Sequence, residues 1–224
     1  MFRIKLALII GGGVLAFLGF QEFTVSQTAS LPAYEVELSE LEESTELPNN
    51  YIKVGTHWSV YGGAIYEYEL AKGSSDGPND SSKVNYCYYP VVSNTHPYVV
   101  TTDQLFEKFG GPENVPEAAW PEFKQFSVLV KTKRFDTIGS IPDDWLEAET
   151  IEGLVINRIA SLDAEEEGLL RQSFPSINLD HVLILEEGRQ PSPASTSFGM
   201  MGGGSALALL GLVWIVRPKR KQEA

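Results

Sequence analysis

The sequence predicts an α+β fold: a mostly antiparallel β-sheet domain with two or three short helices, flanked by N- and C-terminal transmembrane helices. Three observations predict it. Each end of the 224-residue chain carries a long uncharged apolar run. The middle alternates short β-rich stretches with signals for brief helices. No clean β-α-β repeat joins them, which favours antiparallel pairing.

At the N-terminus, Arg3 and Lys5 precede an uncharged run over residues 6–20. Fifteen residues make about 22 Å of helix, short against a hydrocarbon core of about 30 Å. The same features describe a cleaved secretory signal, with Thr28-Ala29-Ser30 as a weak cleavage site. Residues 1–22 are therefore read as a transmembrane helix or signal anchor. At the C-terminus, residues 198–216 are uncharged, and Trp214 precedes Arg217, Lys219, Arg220 and Lys221. An interfacial aromatic followed by clustered basic residues is a stop-transfer pattern, and the basic side stays cytoplasmic. The expected layout is an extracytoplasmic domain at 23–186, a Pro/Ser stalk at 187–197, a span at 198–216 and a basic cytoplasmic tail at 217–224. Both termini are expected in the cytoplasm, with the plasma or inner membrane as the site. Gly199 and Gly203 form a G-x-x-x-G pair that suits self-association, and Gly11-Gly12-Gly13 offers the N-terminal helix as another partner.

Charge separates the ends from the middle. Six of the 17 basic residues, but one of the 30 acidic ones, lie at the ends. The middle keeps 11 basic and 29 acidic residues, a formal charge of −18. Such a surface repels nucleic acid and favours solubility or a basic partner. The single cysteine, Cys87, rules out an intrachain disulfide.

Along the middle, residues 24–31 read as a linker. Ser39 with Glu42 matches a capping box, and Pro48 stops that helix. β-rich sequence begins at 51–54. Gly62-Gly63 marks a turn before residues 64–70, whose period-two pattern marks a half-buried hairpin arm. Residues 71–83 form a polar loop. The strand at 84–92 should place Val84, Tyr86 and Tyr88 on one face and Asn85, Cys87 and Tyr89 on the other. Thr101 with Gln104 caps a helix to Phe109, closed by Gly110. Strands follow at 126–131 and 151–156, with a Pro/Gly loop at 138–144 between them. Ser161-Leu162-Asp163 caps a helix to about Gln172, and a strand spans 181–185.

Chemistry-bearing residues are sparse. No nucleophile elbow, zinc-protease motif or phosphate loop is present. His57, His96 and His181 are too far apart to read as ligands, so no cofactor, metal or catalytic residue is assigned. Cys87 among tyrosines reads as a buried thiol. Asp143-Asp144 and Glu165-Glu166-Glu167 read as solvated carboxylates. Seven tyrosines, Tyr61 to Tyr98, fall within 38 positions. They suit a sheet face with cross-strand stacking, or an aromatic contact surface. Lys131, Lys133 and Arg134 read as a salt-bridged strand end.

Two terminal spans around a β-rich external domain are similar in layout to the Surfeit-locus cytochrome oxidase assembly proteins. The likeness is one of topology, and no site residue carries over. The expected function is a non-enzymatic interaction domain, binding a protein partner in the same membrane during assembly or organisation of a complex. The alternatives are a membrane-tethered hydrolase or redox enzyme using Cys87 or the loop carboxylates, and a ligand-sensing module.

Overall fold

The computed structural model of the protein describes residues 2–69, 77–123, 125–159 and 164–216. Two compact units emerge: Met1–Ser30 with Pro191–Ala224, and Leu31–Gln190.

The chain opens with α1 (Phe2–Thr28). This helix runs through much of the segment expected to be a linker, because no proline or glycine follows Phe20 until Pro32. The second unit then contributes β1 (Tyr34–Val36), α2 (Leu38–Glu43), β2 (Tyr51–Val54), β3 (His57–Val60), β4 (Ile65–Tyr68) and β5 (Val84–Val92). It continues with α3 (Pro97–Phe109), β6 (Val128–Thr132), β7 (Trp145–Ala148), β8 (Ile151–Val155), α4 (Ala164–Ser173) and β9 (Leu183–Glu187). Last comes α5 (Ala194–Val216).

The nine strands form one curled sheet in the order β1-β2-β8-β9-β6-β5-β3-β7, with β4 also paired to β5. The sheet is mixed, which corrects the mostly antiparallel expectation. β1 runs parallel to β2, and β6 parallel to β9. The first pair follows from α2, which carries the chain back so that β2 can lie beside β1. The second pair carries its own sequence mark. Val128-Leu129-Val130 and Leu183-Ile184-Leu185 are unbroken apolar runs, as strands buried on both faces require. Where β8 meets β9, a Cβ on Gly153 would lie 2.2 Å from the Glu186 carbonyl oxygen, so the close approach requires glycine there.

Both faces of the sheet are buried. One carries Ile52, Val54, Cys87, Tyr89, Val128, Val130 and Leu185, with Leu38 and Leu41 of α2 against them. The other carries Tyr88, Val92, Leu129 and Ile184 with Val99, Phe126, Leu170 and Leu179. A bulge sets which β5 residues face which core: Glu67 opposes Tyr86, but Tyr68 opposes Val84. Asn85 is the extra residue, so Val84 joins Cys87 and Tyr89 instead of Tyr86 and Tyr88. The expected tyrosine ladder does not form across this hairpin. Tyr66 opposes Cys87, and Tyr86 opposes Glu67.

The capping-box readings fare differently. α2 begins at Leu38, next to the expected Ser39, but without the expected side-chain cap, and it buries Leu38 and Leu41. α3 begins a turn earlier than Thr101, where Pro97 takes the first position and the His96 ring accepts the Tyr98 amide. Its end at Gly110 is as expected, with φ 76°. β1 and β7 are strands without an expected counterpart. The cap at 161–163 and the basic tail at 217–221 lie outside the described residues.

α1 and α5 have 27 and 23 residues, about 40 and 35 Å of helix. Both are long and apolar enough to cross a membrane. They pack antiparallel through two matching seams. Gly12, Ala16 and Gly19 of α1 meet Gly204, Ala208 and Met201 of α5, while Gly211 meets Lys5 and Ile9. A Cβ on Gly204 would lie 2.5 Å from the Ala16 nitrogen. Close backbone approach of this kind is how helices associate where lipid offers no hydrophobic drive. Gly199 and Gly203 lie off this seam, with nothing within 4 Å of an added Cβ.

Candidate functional site

Three polar clusters gather the residues with chemical potential. The first sits on the Cys87 face. Past the end of β6, the Arg134 amide donates to Thr132 Oγ1 at 3.0 Å, which turns the side chain back. Its guanidinium donates to the Tyr61 hydroxyl at 2.5 Å and meets Glu187 Oε1 at 3.4 Å. The Tyr61 ring stacks at a tilt on Tyr89, 4.6 Å between centroids. His57, buried at the start of β3, has Nδ1 2.8 Å from the Gly55 carbonyl. Burial holds its imidazole below the usual range, and the charges of Glu187 and Arg134 act on it in opposite senses. Burial likewise pushes the Cys87 thiol up to about 12, and pushes Tyr89 up, with Glu187 adding to it. This cluster therefore offers a protonated thiol, a protonated phenol at Tyr89 and a cation already paired with a carboxylate. Glu187 Oε2 is closed off and has no hydrogen-bond partner among the described residues.

The second cluster lies on the opposite face. Lys131 pairs with Glu166, and Glu166 also accepts from the Tyr88 hydroxyl. The ammonium sits 4.5 Å from the Tyr86 ring centroid and 5.4 Å from that of Tyr88. Glu166 is buried, which corrects its reading as a solvated carboxylate. Glu167 does remain at the surface, paired with Arg171 at 2.8 Å. Two of the three residues of the basic knot are salt-bridged as expected, and they divide: Lys131 serves one core and Arg134 the other, while Lys133 is exposed.

The third cluster lines a cleft of about 490 Å³ that includes Glu42, His96, Gln125, Ser127, Asn178 and His181. It brings together two histidines that the sequence keeps far apart. Glu42 accepts both the Ser93 amide and hydroxyl, at 2.8 and 2.6 Å, bracing α2 against the end of β5. His96 Nδ1 accepts the Tyr98 amide at 3.2 Å, and burial lowers its proton affinity while the Glu42 charge raises it. His181 stands exposed at the cleft.

Among the described residues, Cys87 makes one hydrogen bond, its sulfur 3.9 Å from the Tyr88 carbonyl, and none to a histidine. Asp143 and Asp144 are exposed just before β7. Among the described residues, no group of three or more His, Cys, Asp or Glu side chains is placed to hold a metal ion.

No protein family, no curated protein and no solved structure matches the chain. The similarity in segment layout noted from the sequence therefore brings no residue-level assignment with it.

What the sequence missed is mainly Glu166. A signal for it was present: Glu166, Leu170 and Phe174 recur every fourth position, and Leu170 and Phe174 face the second core.

Proposed function

We propose that this is a membrane-anchored protein, both termini cytoplasmic, whose extracytoplasmic domain binds another protein of the same membrane. One observation carries the membrane topology. The antiparallel helix pair sets Lys5 beside Trp214, with Nζ 2.6 Å from its carbonyl and 5.6 Å from its ring centroid. The start of α1, with Arg3 and Lys5, and the end of α5, which the sequence follows with basic residues, thus share one end of the pair, as segments that stay on the cytoplasmic side would.

Binding is favoured over chemistry by how the reactive side chains are used. Glu42, Arg134 and Glu166 each brace one element against another, and His96 caps the start of α3. A tethered hydrolase or redox enzyme built on Cys87 would need a thiolate, and burial disfavours one. Self-association through Gly199 and Gly203 belongs to the same proposal, since both stand clear of the α1 seam.

Two measurements test this reading. A reporter fused after Ala224 should sit in the cytoplasm, while one inserted at Asn79 should be external; the reverse result refutes the topology. Photocrosslinking from the domain in intact membranes should join the chain to a discrete membrane protein. Recovery of the chain alone would refute the binding role.

A further inference from the structure

We infer that the free edge of β7 is a docking site for a basic, extended segment of a partner protein, which adds to the sheet as a further strand. The inference rests on the binding role proposed above and names the surface and the partner chemistry.

β7 ends the strand order and pairs only with β3 among the described residues, from His57 opposite Ala148 to Val60 opposite Trp145. Its outer backbone groups form an edge that another strand can extend. Trp145 stacks on Tyr98, 4.7 Å between centroids, and meets Phe123 edge-on at 6.0 Å. The strand is thereby held in shape before anything binds, which lowers the ordering cost of association. Leu146 turns outward and is 48% exposed, an apolar contact at the edge.

Charge selects the occupant. Asp143, Asp144, Glu147 and Glu149 are all exposed, and no basic residue interrupts the stretch 143–149. Two copies paired through this edge would set acid against acid, which destabilises cross-strand pairs. A segment alternating Lys or Arg with apolar residues meets the carboxylates and covers Leu146. The edges at β1 and β4 differ: Glu35 of β1 is already paired with Lys53 at 3.0 Å, and beside β4 Glu67 accepts from Asn85 at 2.7 Å and Glu69 pairs with Lys83 at 3.2 Å.

The test must separate strand addition from simple attraction to an acidic domain. The full chain in detergent is titrated with a labelled (Lys-Val)₄ peptide and with the same peptide N-methylated on every amide. The two carry equal charge, but only the first can donate backbone hydrogen bonds to the β7 edge. The unmodified peptide should bind at least about tenfold more tightly, a gap of about 1.4 kcal/mol. It should also slow amide exchange at residues 145–148. The exposed double change Asp144→Lys with Glu147→Lys should weaken binding by a similar factor of about ten. Equal affinity for the two peptides, protection confined to other residues, or no binding would each overturn the inference. If crosslinking in membranes still yields a partner, the binding role stands and only this edge is wrong.

Discussion

Lys131 and Glu166 form an ion pair beneath α4, with side-chain exposures of only 15% and 9%. Lys131 sits on β6 and Glu166 on α4, so the pair ties the helix to the second sheet face. Removing one partner of a buried pair leaves the other charge stranded, whereas replacing both with apolar groups can be neutral. Lys131→Met should therefore cost about 3 kcal/mol of unfolding free energy. Lys131→Met combined with Glu166→Leu should recover most of that loss. Urea denaturation of the four members of this cycle measures the coupling, and simple additivity would show that the pair contributes nothing specific.

The pair also shows where sequence patterns were informative. β2, β5, β6 and β8 were legible because apolar and β-branched residues cluster there and are buried on both faces. β7 was hidden because Trp145-Leu-Glu-Ala is a half-exposed edge that reads as the end of an acidic loop. Parallel pairing was hidden because strand direction depends on how distant segments return, which local pattern does not record. Glu166 was hidden by its neighbours: Glu165 and Glu167 make the run look solvated, and only its four-residue offset from Leu170 marks the inward face. Of the candidate sites, Cys87 was legible as a buried thiol. The sharing of one cleft by His96 and His181 was not, since it arises from tertiary packing.

The helix pair makes a sharp distinction between adjacent glycines. Any side chain on Gly204 would run into backbone atoms of Gly12 and Ala16, at 2.6 and 2.5 Å. Gly203 has open space. With cysteines placed at Phe23 and Phe198, whose rings lie 5.1 Å apart, disulfide formation reports the pairing. Gly204→Leu should cut its yield about fivefold or more, and Gly203→Leu should not, as expected for a small-residue helix contact. Equal loss in both variants would mean that the seam is not the Gly12–Gly204 contact.

Cys87 should be chemically silent until the domain opens. Its thiol is fully buried and its proton is held up to about 12 by burial. Iodoacetamide at pH 8 should label the native protein about a hundredfold more slowly than the urea-unfolded chain, because only the exposed thiolate reacts. The same shift predicts an alkaline limit. The unfolded thiol ionises near 8.5, so stability is fully present below that value and declines as pH rises toward about 12. Cys87→Ala should remove this part of the alkaline loss, and fast native labelling would contradict the buried placement.

Acidification acts through the buried histidines. Burial lowers the proton affinity of both His57 and His96 in the folded domain. Glu187 opposes this at His57 and Arg134 reinforces it, while Glu42 opposes it at His96. The unfolded chain binds a proton on each ring near the ordinary value of about 6.5, whereas the folded chain holds off to lower pH. The unfolded state then carries more protons, so stability is present above about 6.5 and falls as pH drops below it. The urea midpoint should be lower at pH 5.5 than at pH 7.5. His57→Gln should flatten part of that slope. His96→Asn, which keeps an acceptor for the Tyr98 amide, should flatten another part. A midpoint that rises on acidification would show that the carboxylate contacts of Glu187 and Glu42 outweigh burial at both rings.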